Sequence, residues 1–321
     1  MSHVVRRLQS IPTMLNQRAH ELCESIRRDA GELRIELTKL PCGAAVIDCG
    51  VKARGGLEAG RRLAEVCLAG LGEVQIVPHG DGPAVAVRTD HPIAACMAAQ
   101  YAGWEVKGEK FFAMGSGPMR AAAGREELFN DIGMRESSDV AVGVLEADKL
   151  PPDAVAMEIA QKCNVQPEGL TLLIAPTVSQ AGTVQVVARS IETALHKLHE
   201  LKFDLHRVES GWGIAPLPPV ASDFLSAIGR TNDAILYGGH AVLYVRGDDE
   251  SLQVVGPQTP SSASLDHGRP FKEIFAAAGN DFYKIDRALF SPAIVTFVNL
   301  DTGHTFRYGS FEPAVLEASF C

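Results

Sequence analysis

Between residues 139 and 201 the chain alternates two kinds of apolar segment: DVAVGVLEADKL, PPDAVAMEIAQKC, LTLLIAPT and GTVQVVARSIETALHKLHEL. The first and third are short and rich in Val, Leu and Ile, as strands are. The second and fourth are longer and repeat their apolar positions at helical spacing. Each such element has a face that must be buried against another layer, so the alternation favours layered α/β structure. The expected class is α/β, with mixed α+β layers.

The rest of the chain supplies further elements of both kinds. Residues 1 to 28 read as a surface helix, basic at first and amphipathic, with Glu21, Glu24 and a proline that a transit peptide would lack. LRIELTKL (33 to 40) and AAVIDCGV (44 to 51) read as a hairpin turning at Pro41-Cys42-Gly43, and Gly55-Gly56 opens a helix to about Gly70. Two strands, EVQIVPHG and AVAVRTD, lead to the alanine-rich helix 91 to 103, with Pro92 in its first turn. WEVKGEKFFAMGSG reads as extended, before a short helix at 118 to 128. ESGWGIAPLPPVASD reads as an irregular loop, GPQTPSSASLDHG (256 to 268) as the most linker-like stretch, and FYKIDRALF, AIVTFVNL and HTFRYG as a C-terminal β-meander.

At 321 residues the chain exceeds the size at which one core keeps growing. Two α/β domains with a ligand cleft between them are expected. The first would combine both chain ends, 1–90 with 205–321, and the second would span 91–204.

Charge and cysteine usage narrow the function classes. A net charge of −9 repels a phosphate backbone, so nucleic acid is not an expected partner. No segment has the roughly 20 uninterrupted apolar residues of a membrane helix, so no membrane partner is expected either. Seven scattered cysteines without a C-x-x-C pair suit reduced thiols in a cytoplasm.

The chemistry-bearing residues cluster in a few places. In the fourth segment Val184, Val187, Ile191, Leu195 and Leu198 fall on one arc of a helix, and Arg189 and Glu192, three residues apart, are neighbours on its flank. On a solvated face they form an ordinary ion pair. Facing a cleft, Arg189 would fix and ionise Glu192 as a positioned carboxylate. His196 and His199, with His206 nearby, have an H-x-x-H spacing but no H-E-x-x-H signature, so no metal is expected. Gly115, Ser116 and Gly117, before Pro118, form a glycine loop ahead of a helix, as Gly55-Gly56 does. The backbone amides of such a loop line a pocket or simply close a turn. Trp212 and Gly213, in Gly211-Trp212-Gly213, offer a flat ring for a stacked heterocycle or for packing. Arg230 and Asn232, in Arg230-Thr231-Asn232-Asp233, form a polar cluster or a helix cap.

In the order AAVIDCGVKARGGLEAG, QYAGWEVKGEKFFAMGSGPMRA, VQVVARSIETALHKLHEL, VESGWGIAPLPPV and IGRTNDAILYGG, these phrases resemble the methenyltetrahydromethanopterin cyclohydrolase family from residue 44 to 239. The resemblance implies two α/β domains with a reduced pterin in the cleft between them, no metal, no nicotinamide or other cofactor, and a homo-oligomer, trimer or dimer. It implies that Arg189 and Glu192 carry the catalysis, with Gly115, Ser116, Gly117, Trp212, Gly213, Arg230 and Asn232 as candidate pterin contacts. Some members use a supporting lysine near the pterin; the run before Trp104 here is QYAG, and the nearest lysines are Lys107 and Lys110. Most of the basic residues are arginine, which suggests a GC-rich genome and a methylotrophic bacterium using the dephosphorylated carrier.

The implied reaction opens an amidinium-like methenyl bridge, so the attacking water needs a base and the departing nitrogen needs a proton. Glu192 would serve as both in turn, while Arg189 holds it in register and polarises the developing oxygen. The competing readings are a pterin carrier-binding protein without turnover, a dehydrogenase of the same carrier, for which no dinucleotide fingerprint exists, and a metal-dependent amidohydrolase using His196 and His199.

Overall fold

The computed structural model describes residues 14–80 and 82–321. The expected N-terminal helix is seen from Leu15 to Arg28, its first part lying outside the described residues. Leu15, Ala19, Cys23 and Ile26 form its buried stripe.

In chain order the strands are β1 (Glu36–Lys39), β2 (Ala45–Asp48), β3 (Gly72–His79), β4 (Gly82–Thr89), β5 (Trp104–Gly108) and β6 (Phe111–Ser116). They continue with β7 (Ala141–Glu146), β8 (Leu170–Ile174), β9 (Val208–Pro216), β10 (His240–Val245), β11 (Ile294–Asn299) and β12 (Thr305–Gly309). They form two six-stranded sheets, ordered β1-β2-β8-β7-β6-β5 and β12-β11-β10-β9-β4-β3. The class is α/β, as expected.

The regular alternation proves to be a parallel unit. β7 leads through the Asp153–Lys162 helix to β8, and β8 pairs parallel with both β7 and β2. All five residues of β8 are buried, because a parallel strand covered on both faces has no polar side to show.

The strands of the chain ends are shared between the two sheets. Strands 72–89 do pair with those of 208–309, but the β1–β2 hairpin joins the sheet of 104–174 instead. Val46 and Ile47 pack on opposite faces of that sheet, and their strand is laddered between β1 and β8. Strand partners are a long-range choice that local pattern does not encode.

Three irregular readings also change. The glycine- and proline-rich 208–216 stretch is β9, laddered between β4 and β10. FYKIDRALF is not a strand but two 3₁₀ turns, Phe282–Lys284 and Arg287–Leu289. The linker-like 256–268 segment is packed, with Thr259, Ser261 and Ser264 buried.

The Asp153–Lys162 helix covers one face of the first sheet, and the Leu15–Arg28 and Leu57–Cys67 helices cover the other. The largest apolar cluster joins the second sheet, through Val85, Ala215 and Leu243, to two further helices: Ile93–Gln100 and Ser190–Glu200. Helices therefore form a layer between the two sheets, and Arg189 and Glu192 lie in it.

The Phe224–Gly238 helix carries a buried carboxyl, Asp233, whose Oδ1 accepts from the Phe271 amide at 2.8 Å. Burial pushes its pKa up from 3.8 to about 7, and the amide only partly offsets this. Between these values the unfolded chain loses its proton while the folded chain keeps it, so stability present below pH 3.8 is lost as pH rises to about 7. Asp233→Asn keeps the acceptor and removes the titration. Its stability relative to the parent should grow across that interval by up to a few kcal/mol. Urea midpoints for both proteins at several pH values would show it, and parallel curves would refute it.

Candidate active site

The 182–201 segment is two helices, Gln180–Val187 and Ser190–Glu200, broken at Ala188 and Arg189. The expected stripe is intact, since Val184, Val187, Ile191, Leu195 and Leu198 are all buried. The break exposes the Ala188 carbonyl, which accepts from Gln100 Nε2 at 2.9 Å. Arg189 becomes the residue capping the second helix, and Glu192 sits in its first turn, where the helix dipole favours negative charge.

Two glycines let this helix lie close on the second sheet. A Cβ at Gly211 would meet Ile191 Cγ2 at 2.8 Å, and one at Gly213 would meet Ser190 Cβ at 2.9 Å. Any larger residue at either position would lift the helix that carries Glu192.

The flank bearing Arg189 and Glu192 faces the helical layer rather than solvent, with side-chain exposures of 9% and 6%. Arg189 Nη1 donates to the Gln100 carbonyl at 2.6 Å, and Nη2 donates to Ser116 Oγ at 3.2 Å. Nη2 also lies 3.7 Å from Cys67 Sγ. Nη1 is 3.6 Å from Glu192 Oε2, an ion contact just beyond hydrogen-bond length. Burial pushes the Glu192 carboxyl above the usual carboxylate range, opposed by Arg189 first and then by Arg120. Burial likewise raises the Cys67 and Cys96 thiols, so neither is an activated nucleophile.

The Ile93–Gln100 segment is a π-helix, not the α-helix its alanines suggest. All eight of its residues are buried. Its wide turn is seen in the Tyr101 amide, which donates to Cys96 five residues back at 2.8 Å. Beyond it, Tyr101 stacks on His196 with centroids 4.7 Å apart. Burial lowers the His196 pKa to about 4, so its ring is neutral.

Of the other candidates, Ser116 reaches the site through Arg189. Gly115 and Gly117 flank it, but the Gly117 amide is committed to the Ala99 carbonyl at 2.8 Å, so this loop caps the π-helix instead of offering amides to an anion. Gly213 serves close packing. Trp212 points from the opposite face of β9, away from Glu192, because side chains alternate across a strand. It lines an open groove of about 880 Å³ with Arg88, His91 and Tyr244.

Arg230 and Asn232 lie inside the Phe224–Gly238 helix rather than at its end. The run Ala234 to Tyr237 continues it and is buried throughout. The Arg230 guanidinium donates to the Ser319 and Pro219 carbonyls, and Asn232 Nδ2 to Ile228 one turn back. His196 and His199 are likewise held apart, the first on Tyr101 and the second 2.7 Å from Asp131 Oδ2. Among the described residues no group of three or more His, Cys, Asp or Glu is arranged to hold a metal. No described helix is long and apolar enough to cross a membrane.

Sequence reasoning missed Gln100, Tyr101, Arg120 and Glu126 as members of this cluster. The one local signal was Arg120 within the small-residue run MRAAAG, where a long cation has no apparent reason to be buried.

Comparison with known proteins is consistent along the chain. The family model described as Cyclohydrolase (MCH) matches residues 14–320. A methenyltetrahydromethanopterin cyclohydrolase of Methylobacillus flagellatus is 49% identical over 310 residues, 95% of both chains. One of Xanthobacter autotrophicus is 48% identical over 93% of this chain and 90% of its own. One of Methanosarcina barkeri is 41% identical over 95% of this chain and 98% of its own.

Proposed function

Because the chain belongs to the methenyltetrahydromethanopterin cyclohydrolase family, we propose that it hydrolyses the methenyl bridge of tetrahydromethanopterin, or of its dephosphorylated form, with Glu192 as the proton carrier. The observation that carries this reading is a buried carboxyl with a raised pKa, held 3.6 Å from a guanidinium whose other donors are fixed on Gln100 and Ser116.

Such a carboxyl suits the chemistry. As water oxygen bonds to the bridge carbon, Glu192 takes one of its protons and the cation becomes a neutral carbinolamine. The protonated carboxyl then returns that proton to the departing N10 nitrogen as its bond to the bridge carbon breaks. The hydroxyl proton leaves as the N5-formyl carbonyl forms, so one proton is released per turnover. A carboxyl with an ordinary pKa would be a weaker acid–base relay, because the best catalytic pKa lies near the working pH. Before attack, the ionised carboxylate also stabilises the substrate cation in a site of low dielectric.

Tyr101 and the neutral His196 form a partly exposed aromatic pair one turn along the same flank, which supports a flat heterocycle binding beside Glu192. No metal or nicotinamide is assigned a part in this reaction. The protein is further proposed to act in the cytoplasm as a homo-oligomer, and molecular mass in solution tests the latter.

The direct test is loss of the methenyl chromophore in purified protein, without added cofactor and with excess chelator. Turnover should proceed at the same rate with and without chelator. A rate that collapses on chelation and returns with a divalent metal would replace this mechanism.

A further inference from the structure

Any helix leaves its last carbonyls without intrahelical donors, and a π-helix that ends in a buried layer has no water to supply them. Here the Cys96 carbonyl takes the Tyr101 amide, and the four that follow need partners. Arg120 Nη1 donates to Met97 at 3.0 Å and to Ala98 and Ala99 at 3.4 Å. The Gly117 amide adds a second donor to Ala99, and Arg189 takes the last, Gln100, at 2.6 Å. Two buried arginines therefore cap one helix end, and the one that finishes the cap is the partner of Glu192.

Arg120 is itself held on every side. It is fully buried, its Nε donates to Glu126 Oε1 at 2.8 Å, and Nη2 donates to the other oxygen of the same carboxylate. Its guanidinium carbon lies 4.9 Å from the Tyr101 ring centroid and 5.4 Å from that of Phe129. A forked, planar cation can meet a carboxylate, three carbonyls and two ring faces at once; an ammonium cannot.

We propose that Arg120 is a positioning residue for the reaction, holding the end of the π-helix in the register that lets Gln100 fix Arg189 beside Glu192. The proposal rests on the reading of Glu192 given above. Arg120 also faces Glu192 electrostatically. The other groups that face that carboxyl are Arg189 from its own helix, Cys96 and Tyr101 from the π-helix and its exit, and Cys67 from the Leu57–Cys67 helix. Of these, Arg120 and Arg189 oppose the burial of its charge.

The test compares Arg120→Met with Arg120→Lys, each checked for folding by circular dichroism. Both should lose about ten- to a hundredfold in kcat, the scale of a small misplacement, with KM within a few-fold of the parent. The acid limb of the pH profile should rise by about half a unit or more in Arg120→Met, where the charge is gone, and return in Arg120→Lys, where it is kept. A merely structural role would lower the active fraction and leave that limb in place, and this result would overturn the proposal.

If Arg120→Met does not fold, Glu126→Gln decides. That carboxylate is partly exposed, and its neutralisation should move the acid limb downward by leaving the Arg120 charge uncompensated. An unmoved limb overturns the proposal there too. Glu192→Gln separates the two failures: if it turns over normally the reading of the site is wrong, whereas if only the Arg120 variants are normal the positioning role alone falls.

Discussion

Replacing Glu192 by glutamine should lower kcat by at least about a hundredfold, the scale on which a positioned acid–base group contributes. KM should rise as well, since a cationic substrate loses its counter-charge. The fold should not suffer. The folded carboxyl has a raised pKa, so its ionised form costs stability as pH climbs above the unfolded value of 4.5. Glutamine removes that cost at neutral pH, and the variant should melt no lower than the parent, as happens where an active site trades stability for function. Chromophore loss and a thermal melt on the same preparation check both halves. Turnover within about threefold of the parent would remove Glu192 from the mechanism.

The second large effect belongs to Arg189→Ala, and it differs in kind. This guanidinium serves the Gln100 carbonyl, Ser116 Oγ and the Glu192 carboxylate at once, and it is 8% exposed. Removing it leaves a buried carbonyl and a buried carboxylate without their cation, a loss of about 3–5 kcal/mol for a broken buried pair. Activity should fall by about two orders of magnitude or more, because the carboxylate loses its orientation together with its charge partner. The acid limb of the pH profile should move upward, since Arg189 is the largest influence holding the Glu192 pKa down. Arg189→Lys should restore much of that limb while recovering little stability, because a lysine keeps the charge without the fork. A melt and a limb both unchanged in Arg189→Ala would show that the pair is not coupled.

These two variants separate what each residue does. On the proposed mechanism Glu192 acts on the substrate while its buried charge costs the fold something, whereas Arg189 ties the break between two helices to the end of a third.

Much of this was legible in order of locality. The stripe from Val184 to Leu198 follows from a 3.6-residue period, and so does the adjacency of Arg189 and Glu192. The strand–helix–strand alternation of β7, the Asp153–Lys162 helix and β8 followed from segment lengths and composition, while its parallel pairing came from the structure. Trp212 shows the limit: between two glycines it looked exposed toward a ligand, but Gly211 and Gly213 make room for the helix on the other face of β9. Arg230 and Asn232 read as a polar cluster or a helix cap, but both lie half-buried within the Phe224–Gly238 helix and bond to backbone carbonyls.

The sequence by itself determined the α/β class, the family, and the adjacency of the two residues to which the reaction is assigned in the proposal, because each is written in short-range periodicity or in long runs of characteristic residues. Tertiary structure alone decided which sheet takes the β1–β2 hairpin, that Ile93–Gln100 winds as a π-helix, and that Arg120 and Arg189 meet at its end. The reason is that a buried carbonyl must find a donor wherever the packed layers bring one. That donor stands 23 residues away for Met97 and 89 for Gln100, beyond any local pattern.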